Sequence, residues 1–169
     1  MYDLVRFNAD TNVISKKYGF DEIYFFSRMK KNIIVINNIE EAANHRNKKV
    51  LLLLKNYTYD EGPVKLVAEK RKACFLIDLS RIMKTRGLQR AIEISRIRTF
   101  LELCNRFGAF YALASFAEKE FDIRTPEELI SIGCLLGLNR GQGRFALKML
   151  KHYAPPQPQP ESSDSVSSI

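Results

Sequence analysis

Val50-Leu-Leu-Leu-Leu and Cys74-Phe-Leu-Ile are apolar runs with no polar break. A strand with one face in water alternates apolar and polar residues. A strand buried on both faces reads as a continuous run, and it needs helices over a parallel sheet or closure into a barrel. The two runs extend as strand candidates Val50–Lys55 and Ala73–Leu79, joined by Tyr2–Phe7, Glu22–Phe26, Asn32–Ile36 and Ala109–Ala114. Between them helical patterns are read near 10–18, 38–46, 60–71, 88–107, 126–136 and 142–152. This β-α alternation predicts an α/β fold, a parallel sheet or barrel with helices outside. No internal repeat of solenoid length is visible.

A chain of 169 residues with 46% apolar residues is long enough to bury a core as one domain. That domain is read over residues 1–154. Residues 155–169, PPQPQPESSDSVSSI, hold four of the six prolines and no aromatic or basic residue, and are expected to be a disordered tail. The chain carries +8, with 27 Lys and Arg against 19 Asp and Glu; two of the acids, Glu161 and Asp164, sit in the tail, leaving +10 on the first 154 residues. A body that basic is expected to attract polyanions, with RNA or DNA foremost.

Several chemistries lack their residues. Cys74, Cys104 and Cys134 are far apart with no C-x-x-C pair, which predicts reduced thiols, mostly core fillers. His45 and His152 each stand alone, without H-x-H, H-E-x-x-H or a carboxylate cluster, so no metal site is expected. Ser115 has no G-x-S-x-G surround and no cysteine sits in a nucleophile motif. Gly137-Leu-Asn-Arg-Gly-Gln-Gly lacks the G-K-[ST] of a phosphate loop, and its glycines read as helix punctuation. The start, Met1-Tyr-Asp-Leu-Val-Arg, has neither part of a signal peptide, and no apolar run is long enough for a membrane span. A cytoplasmic protein without membrane attachment is expected.

Cations remain. In the helix Leu88–Phe107, Ala91, Ile94, Ile97, Leu101 and Cys104 recur at three- and four-residue spacing and are expected to face the core. The loop feeding it, Lys84-Thr-Arg-Gly-Leu-Gln-Arg, groups Lys84, Arg86 and Arg90. Further on, Thr125-Pro-Glu-Glu128 is a helix-start signature: cap hydroxyl, Pro at the first helical position, and a Glu reaching back. Arg124 precedes that cap, at a strand-to-helix junction where α/β proteins concentrate binding groups. Arg140, Arg144, Lys148 and Lys151 lie at i, i+4, i+8 and i+11, a basic stripe along the last helix. A solvated face explains that stripe alone, but three basic groupings together suit phosphates, which arginine can grip bidentately. Phe25, Phe26, Phe75 and Phe110 lie in the apolar runs and read as core rather than base-stacking platforms.

These residues resemble a known family. Ile77-Asp-Leu-Ser-Arg-Ile-Met-Lys-Thr-Arg-Gly-Leu-Gln-Arg-Ala, then Arg106-Phe-Gly, Ser115, Asp122-Ile-Arg-Thr-Pro-Glu-Glu-Leu and Gly133 to Leu138 follow the order and spacing of protein component 3 of archaeal ribonuclease P, the counterpart of the eukaryal thirty-kilodalton subunit. The resemblance covers about residues 73–153, with weaker agreement at Asp3-Leu4 and Tyr18–Ile23. It implies a TIM-barrel-like fold related to the polymerase-and-histidinol-phosphatase superfamily, without that superfamily's metal chemistry. Six strand candidates against the eight of a regular barrel, which takes about 250 residues, imply a reduced or incomplete barrel.

The resemblance also implies a subunit that does not cleave by itself. In that family the RNA is the catalyst and uses Mg²⁺ to remove the 5′ leader of precursor tRNA, while component 3 binds protein component 2. The chain itself would bind no cofactor. Arg86, Arg90 and Arg124 match the family's basic motif; Lys84, Arg140, Arg144 and Lys148 are added as RNA contacts from spacing. One departure stands out: the family's Ser-Ser-Gly-Ala is here Ala114-Ser-Phe-Ala, which removes a glycine's backbone freedom and argues against close approach of RNA at that turn. The alternative is a stand-alone barrel enzyme acting on a small phosphorylated substrate, with helix N-termini at Thr125 and Gly141 holding phosphate and Asp78 and Glu118 as the carboxylates near strand ends. A generic RNA-binding module of another particle is the third reading.

Overall fold

The structure, a computed structural model, describes residues 1–155. The expected tail therefore lies outside the described residues, apart from Pro155. Six strands run in one direction: β1 (Tyr2–Val5), β2 (Glu22–Phe25), β3 (Ile33–Ile36), β4 (Leu51–Leu54), β5 (Cys74–Asp78) and β6 (Tyr111–Ala114). All six coincide with the apolar runs of the sequence. Helices α1 (Thr11–Tyr18), α2 (Phe26–Met29), α3 (Ala42–His45), α4 (Glu61–Lys70), α5 (Ser80–Lys84), α6 (Gly87–Phe107), α7 (Pro126–Leu135) and α8 (Arg140–Met149) intervene or follow.

Parallel ladders join β1 to β2, and β3 to β4 to β5 to β6 in chain order. Among the described residues no ladder joins β2 to β3, and the consequence shows on β3. Its Val35 is 44% exposed, whereas every residue of β4, β5 and β6 is buried. Alternate strand residues point to opposite faces. Leu52, Leu54, Phe75, Ile77 and Leu113 pack beneath the helices with Ile97, Phe100 and Leu129. Leu4, Tyr24, Ile33, Leu51, Leu53, Cys74, Leu76, Ala112 and Ala114, drawn from all six strands, form a second cluster on the other face. Phe116 covers that cluster at one end, and Met149, Leu150 and Tyr153 belong to it at the other. The small residues Cys74, Ala112 and Ala114 leave room for those plugs. Burial also pushes the Cys74 and Cys104 thiols up, consistent with core fillers.

The two sheets meet at a buried seam. Phe116 N–H donates to Leu4 O at 3.0 Å and Arg6 N–H to Ala117 O at 2.8 Å, so the chain just past β6 lies beside β1. Asp3, with no exposed surface, ties the seam: its carboxylate accepts from Leu4 N (2.8 Å), Ser115 N (2.7 Å) and Ser115 Oγ (2.6 Å). Burial nevertheless pushes the Asp3 carboxyl up to about 6, against the pull of those hydrogen bonds.

Three expectations need correction. On α6 the buried face is Glu93, Ile97, Phe100, Leu101 and Cys104, while Ala91 is exposed. Glu93 is accommodated because Arg81 of α5 pairs with it at 2.9 Å, which turns the first turns of α6 away from the apolar side. At Phe116 the glycine-like backbone is kept, not lost: φ is 49°, in the left-handed region, with the ring fully buried. The ring packs against Phe26 at 5.9 Å between centroids, and burying it offsets the backbone strain. Of the glycines read as punctuation, Gly137 (φ 88°) does end α7, but Gly141 and Gly143 lie inside α8. There Gly143 lets α8 approach Ile130 of α7, whose Cγ2 sits 3.4 Å from where a Cβ would be.

The raised Asp3 pKa has a definite sign. Between its unfolded value of 3.8 and about 6 the folded chain holds the extra proton, so stability from this group is full at low pH and is lost as pH rises through about 6. The span corresponds to about 3 kcal/mol. Urea unfolding of Asp3→Asn across this range is expected to lack that dependence, the wild type gaining on the variant as pH falls; parallel curves would refute it. At position 116, Phe116→Ala is expected to cost about 3–5 kcal/mol from lost ring burial. Phe116→Gly should be about 1 kcal/mol better than Phe116→Ala, because only Gly relieves the positive φ. Thermal unfolding that ranks Ala above Gly would exclude strain there.

Candidate nucleic-acid interface

Because all strands are parallel, the segments that follow them share one end of the molecule. That end carries Arg6 after β1, Arg28 after β2, Lys55 after β4, and Lys84, Arg86 and Arg90 after β5. Each is placed by local rules. Arg86 is the extended residue that starts α6, with its side chain exposed. Arg90, one turn in, donates Nε–H to Thr85 O at 2.7 Å, and the Thr85 hydroxyl donates in turn to Arg81 O at 2.7 Å. The 84–90 turn is thereby stiffened while its cations stay in water.

Two carboxylates near the basic turn, Asp78 and Glu118, are engaged. Asp78 accepts from Ser80 N (2.9 Å) and Ser80 Oγ (2.5 Å), and Arg6 lies 3.3 Å away. Burial nonetheless shifts the Asp78 carboxyl upward, opposed by Ser80 and Arg6. Glu118, with an exposed side chain, is held below the usual carboxylate range by its hydrogen bond to Lys84 at 2.6 Å. Arg81, just ahead of the basic turn, is structural: it donates to Lys55 O at 2.7 Å, pairs with Glu93 and lies 5.2 Å over the Tyr57 ring. Tyr57 is buried among these groups, and burial pushes its hydroxyl upward.

The seven predicted contacts do not form one patch. Lys84, Arg86 and Arg90 stand together as expected. Arg124 lies on the same side of the sheet, between β6 and α7, folded onto its own loop with carbonyls of Phe121 and Ile123 each at 3.3 Å. Arg140 and Arg144 both turn to Glu127 on the first turn of α7, the second at 3.9 Å. Lys148 lies at the opposite end of the strands, beside Asp21, which precedes β2. Sequence spacing missed Arg6 and Lys55, single residues that only the parallel topology gathers; their position just after apolar runs was the available signal.

The two helix starts named for the phosphate-holding alternative are capped from within the chain. Thr125 Oγ1 accepts from Glu128 N (3.3 Å) and Glu128 accepts from Thr125 N (2.7 Å), a closed capping box. Asn139, rather than Gly141, starts α8, and it exchanges the same pair of bonds with Gln142 at 2.8 and 2.9 Å. At both helix starts the amides of the cap and of the residue three on are thus satisfied from within. Among the described residues no three His, Cys, Asp or Glu side chains come together, and no helix is long and apolar enough to cross a membrane. The arrangement can hold an anion by charge and by arginine forks.

If the 84–90 turn meets phosphates, Arg86→Ala with Arg90→Ala should flatten the dependence of RNA affinity on salt by about 2 in the log–log slope. Fluorescence anisotropy with a labelled transfer-RNA transcript across a salt series measures it. An unchanged slope removes both arginines from the interface.

No family model matches the chain. It is similar to ribonuclease P protein component 3 of Methanococcoides burtonii, 24% identical over 140 residues, covering 79% of this chain and 57% of that one. It is also similar to ribonuclease P protein component 3 of Archaeoglobus fulgidus, 25% identical over 114 residues, covering 67% of this chain and 57% of the relative. The chain thus spans little more than half the length of these curated relatives. A chain in the cryo-electron microscopy structure of archaeal ribonuclease P with mature tRNA shares the fold, with a TM-score of 0.58 and 16% identity over 89% of this chain and 77% of that one. Along the part that it spans, this chain is similar to archaeal ribonuclease P protein component 3.

Proposed function

We propose that this chain is a protein subunit of ribonuclease P, supporting the catalytic RNA as it removes the 5′ leader from precursor tRNA. The observation that carries the reading is the 140-residue alignment with component 3 of Methanococcoides burtonii, which covers 79% of this chain. The shared fold with a chain of the archaeal complex supports it. So does the chemistry of the strand-end site, where Arg86 and Arg90 are open to solvent and Asp78 and Glu118 are already engaged.

In this reading the fold, residues 1–154, is an incomplete six-strand barrel, open where β2 and β3 lack a ladder. The partners are ribonuclease P RNA, protein component 2, and precursor tRNA through the complex. Leu88 and Phe121, 77% and 90% exposed near the basic turn, offer apolar ground for a protein partner. Mg²⁺ belongs to the RNA, the chain holds no metal of its own, and the complex works in the cytoplasm.

Reconstitution tests the proposal. The purified chain alone is expected to leave precursor tRNA uncut, and to raise the cleavage rate of its cognate RNA when component 2 is present. No stimulation at any Mg²⁺ concentration, with an RNA and partner shown to be competent, would sink the reading. Cleavage by the isolated chain would sink its non-catalytic part.

A further inference from the structure

The other end of the strands is also basic, and its cations come from segments that have no sequence pattern in common. Lys49 precedes β4, Arg71 and Lys72 precede β5, and Lys148 and Lys151 lie on and just past the end of α8. They line two adjoining hollows of about 550 and 640 Å³ that share Lys49 and His152. We propose that this groove is a second polyanion seat, which takes the phosphate backbone of RNA independently of the 84–90 turn.

Charge accounting separates the two ends. At the strand C-terminal end Arg6, Arg81 and Lys84 each have a carboxylate partner, and Arg28, Lys55, Arg86 and Arg90 have none among the described residues. In the groove none of the five cations pairs with a carboxylate among the described residues. The acid in its wall, Asp21, is taken by the Met1 ammonium, which holds it below the usual carboxylate range; Lys148 and Lys151 add smaller pulls. Five like charges around two adjoining hollows repel one another, and a polyanion relieves that repulsion while releasing its own counterions.

The groove is also built, not merely charged. The Arg71 guanidinium lies 5.7 Å over the Phe110 ring, and Lys151 Nζ lies 5.7 Å over the Tyr2 ring. Arg71 itself takes the left-handed conformation (φ 51°), and its N–H caps α4 at Val67 O. Next to it Lys72 is anchored through its carbonyl, which accepts from Tyr153 Oη at 2.9 Å. Since the two rings are covered by cations, they hold charges in place and do not offer faces to bases. The seat therefore reads phosphate and not sequence.

Another occupant is the chain's own continuation, which leaves the groove rim at Ala154 and carries Glu161 and Asp164. Two carboxylates against five cations would leave the groove basic, so an RNA backbone is the better match.

The test uses the full chain and a labelled transfer-RNA transcript in a salt series, which needs no reconstituted enzyme. A triple variant, Lys49→Ala, Lys148→Ala and Lys151→Ala, is expected to bind about tenfold more weakly at moderate salt, with a log–log slope lower by about 2–3. The corresponding Lys→Arg triple should keep the slope, and adding Arg86→Ala and Arg90→Ala should lower it further by about 2. Single Lys148→Glu gives a second readout in a protein whose unfolding midpoint is checked beside the wild type. An unchanged slope in folded variants overturns the proposal. It is equally overturned if the groove variants differ from wild type only while residues 156–169 are present, because the groove is then the seat of that segment. Failure of the chain to stimulate ribonuclease P RNA, with the groove slopes as expected, would count against the functional reading and leave this seat in place.

Discussion

A buried carboxylate joins two points 112 residues apart, and the arrangement of both ends of the molecule follows from it. Removing Asp3 from water carries a penalty of several kcal/mol, and only well-placed donors offset it. Leu4 N, Ser115 N and Ser115 Oγ supply them, and Ser115 Oγ in turn accepts from Ala117 N at 3.2 Å. Hydrogen-bonded groups thus surround the charge. With β1 fixed beside the chain leaving β6, Arg6 comes within 3.3 Å of Asp78 and lies over the Phe116 ring at 5.1 Å. A looser seam would let the small β1–β2 sheet drift from the four-stranded one, and Phe116 would lose the packing that sustains its left-handed backbone.

The strands were legible because burial on both faces leaves a mark that needs no partner information. Leu51–Leu54 can only be an inner parallel strand, and it is one. What escaped was everything decided by pairs distant in the chain. Asp3 and Ser115 both lay in segments that resembled component 3, yet nothing in either segment says that they touch. Glu93 falls outside the apolar stripe read on α6, and the Arg81 that neutralises it lies on a different helix. Phe116 looked like a lost glycine, but a large ring in a pre-existing hollow can sustain a conformation that its side chain disfavours.

The basic stripe on α8 shows the same limit in the candidate site. Helical spacing places Arg140, Arg144 and Lys148 along one line, but a line along a helix crosses different surroundings. Its first two members meet Glu127 of α7, while the third reaches the groove by Asp21. Parallel topology, by contrast, gathers residues by their position before or after a strand. Lys49, Arg71 and Lys72 are unremarkable in sequence and become neighbours for that reason alone.

Exposure then decides which cations a phosphate can reach. The Glu93 side chain is 6% exposed, and separating it from Arg81 would strand a buried charge. Lys84 and Glu118, 44% and 54% exposed, are bound only by a pair that water and salt already weaken, so a phosphate can take the place of Glu118. Arg86 needs no exchange at all, having an exposed side chain with no carboxylate beside it among the described residues. The availability of charge therefore runs outward from Arg81 through Lys84 to Arg86 along a single turn of chain. The motif combines one arginine that holds α5 to α6 with neighbours left free to bind, and its spacing serves the fold and the interface at once.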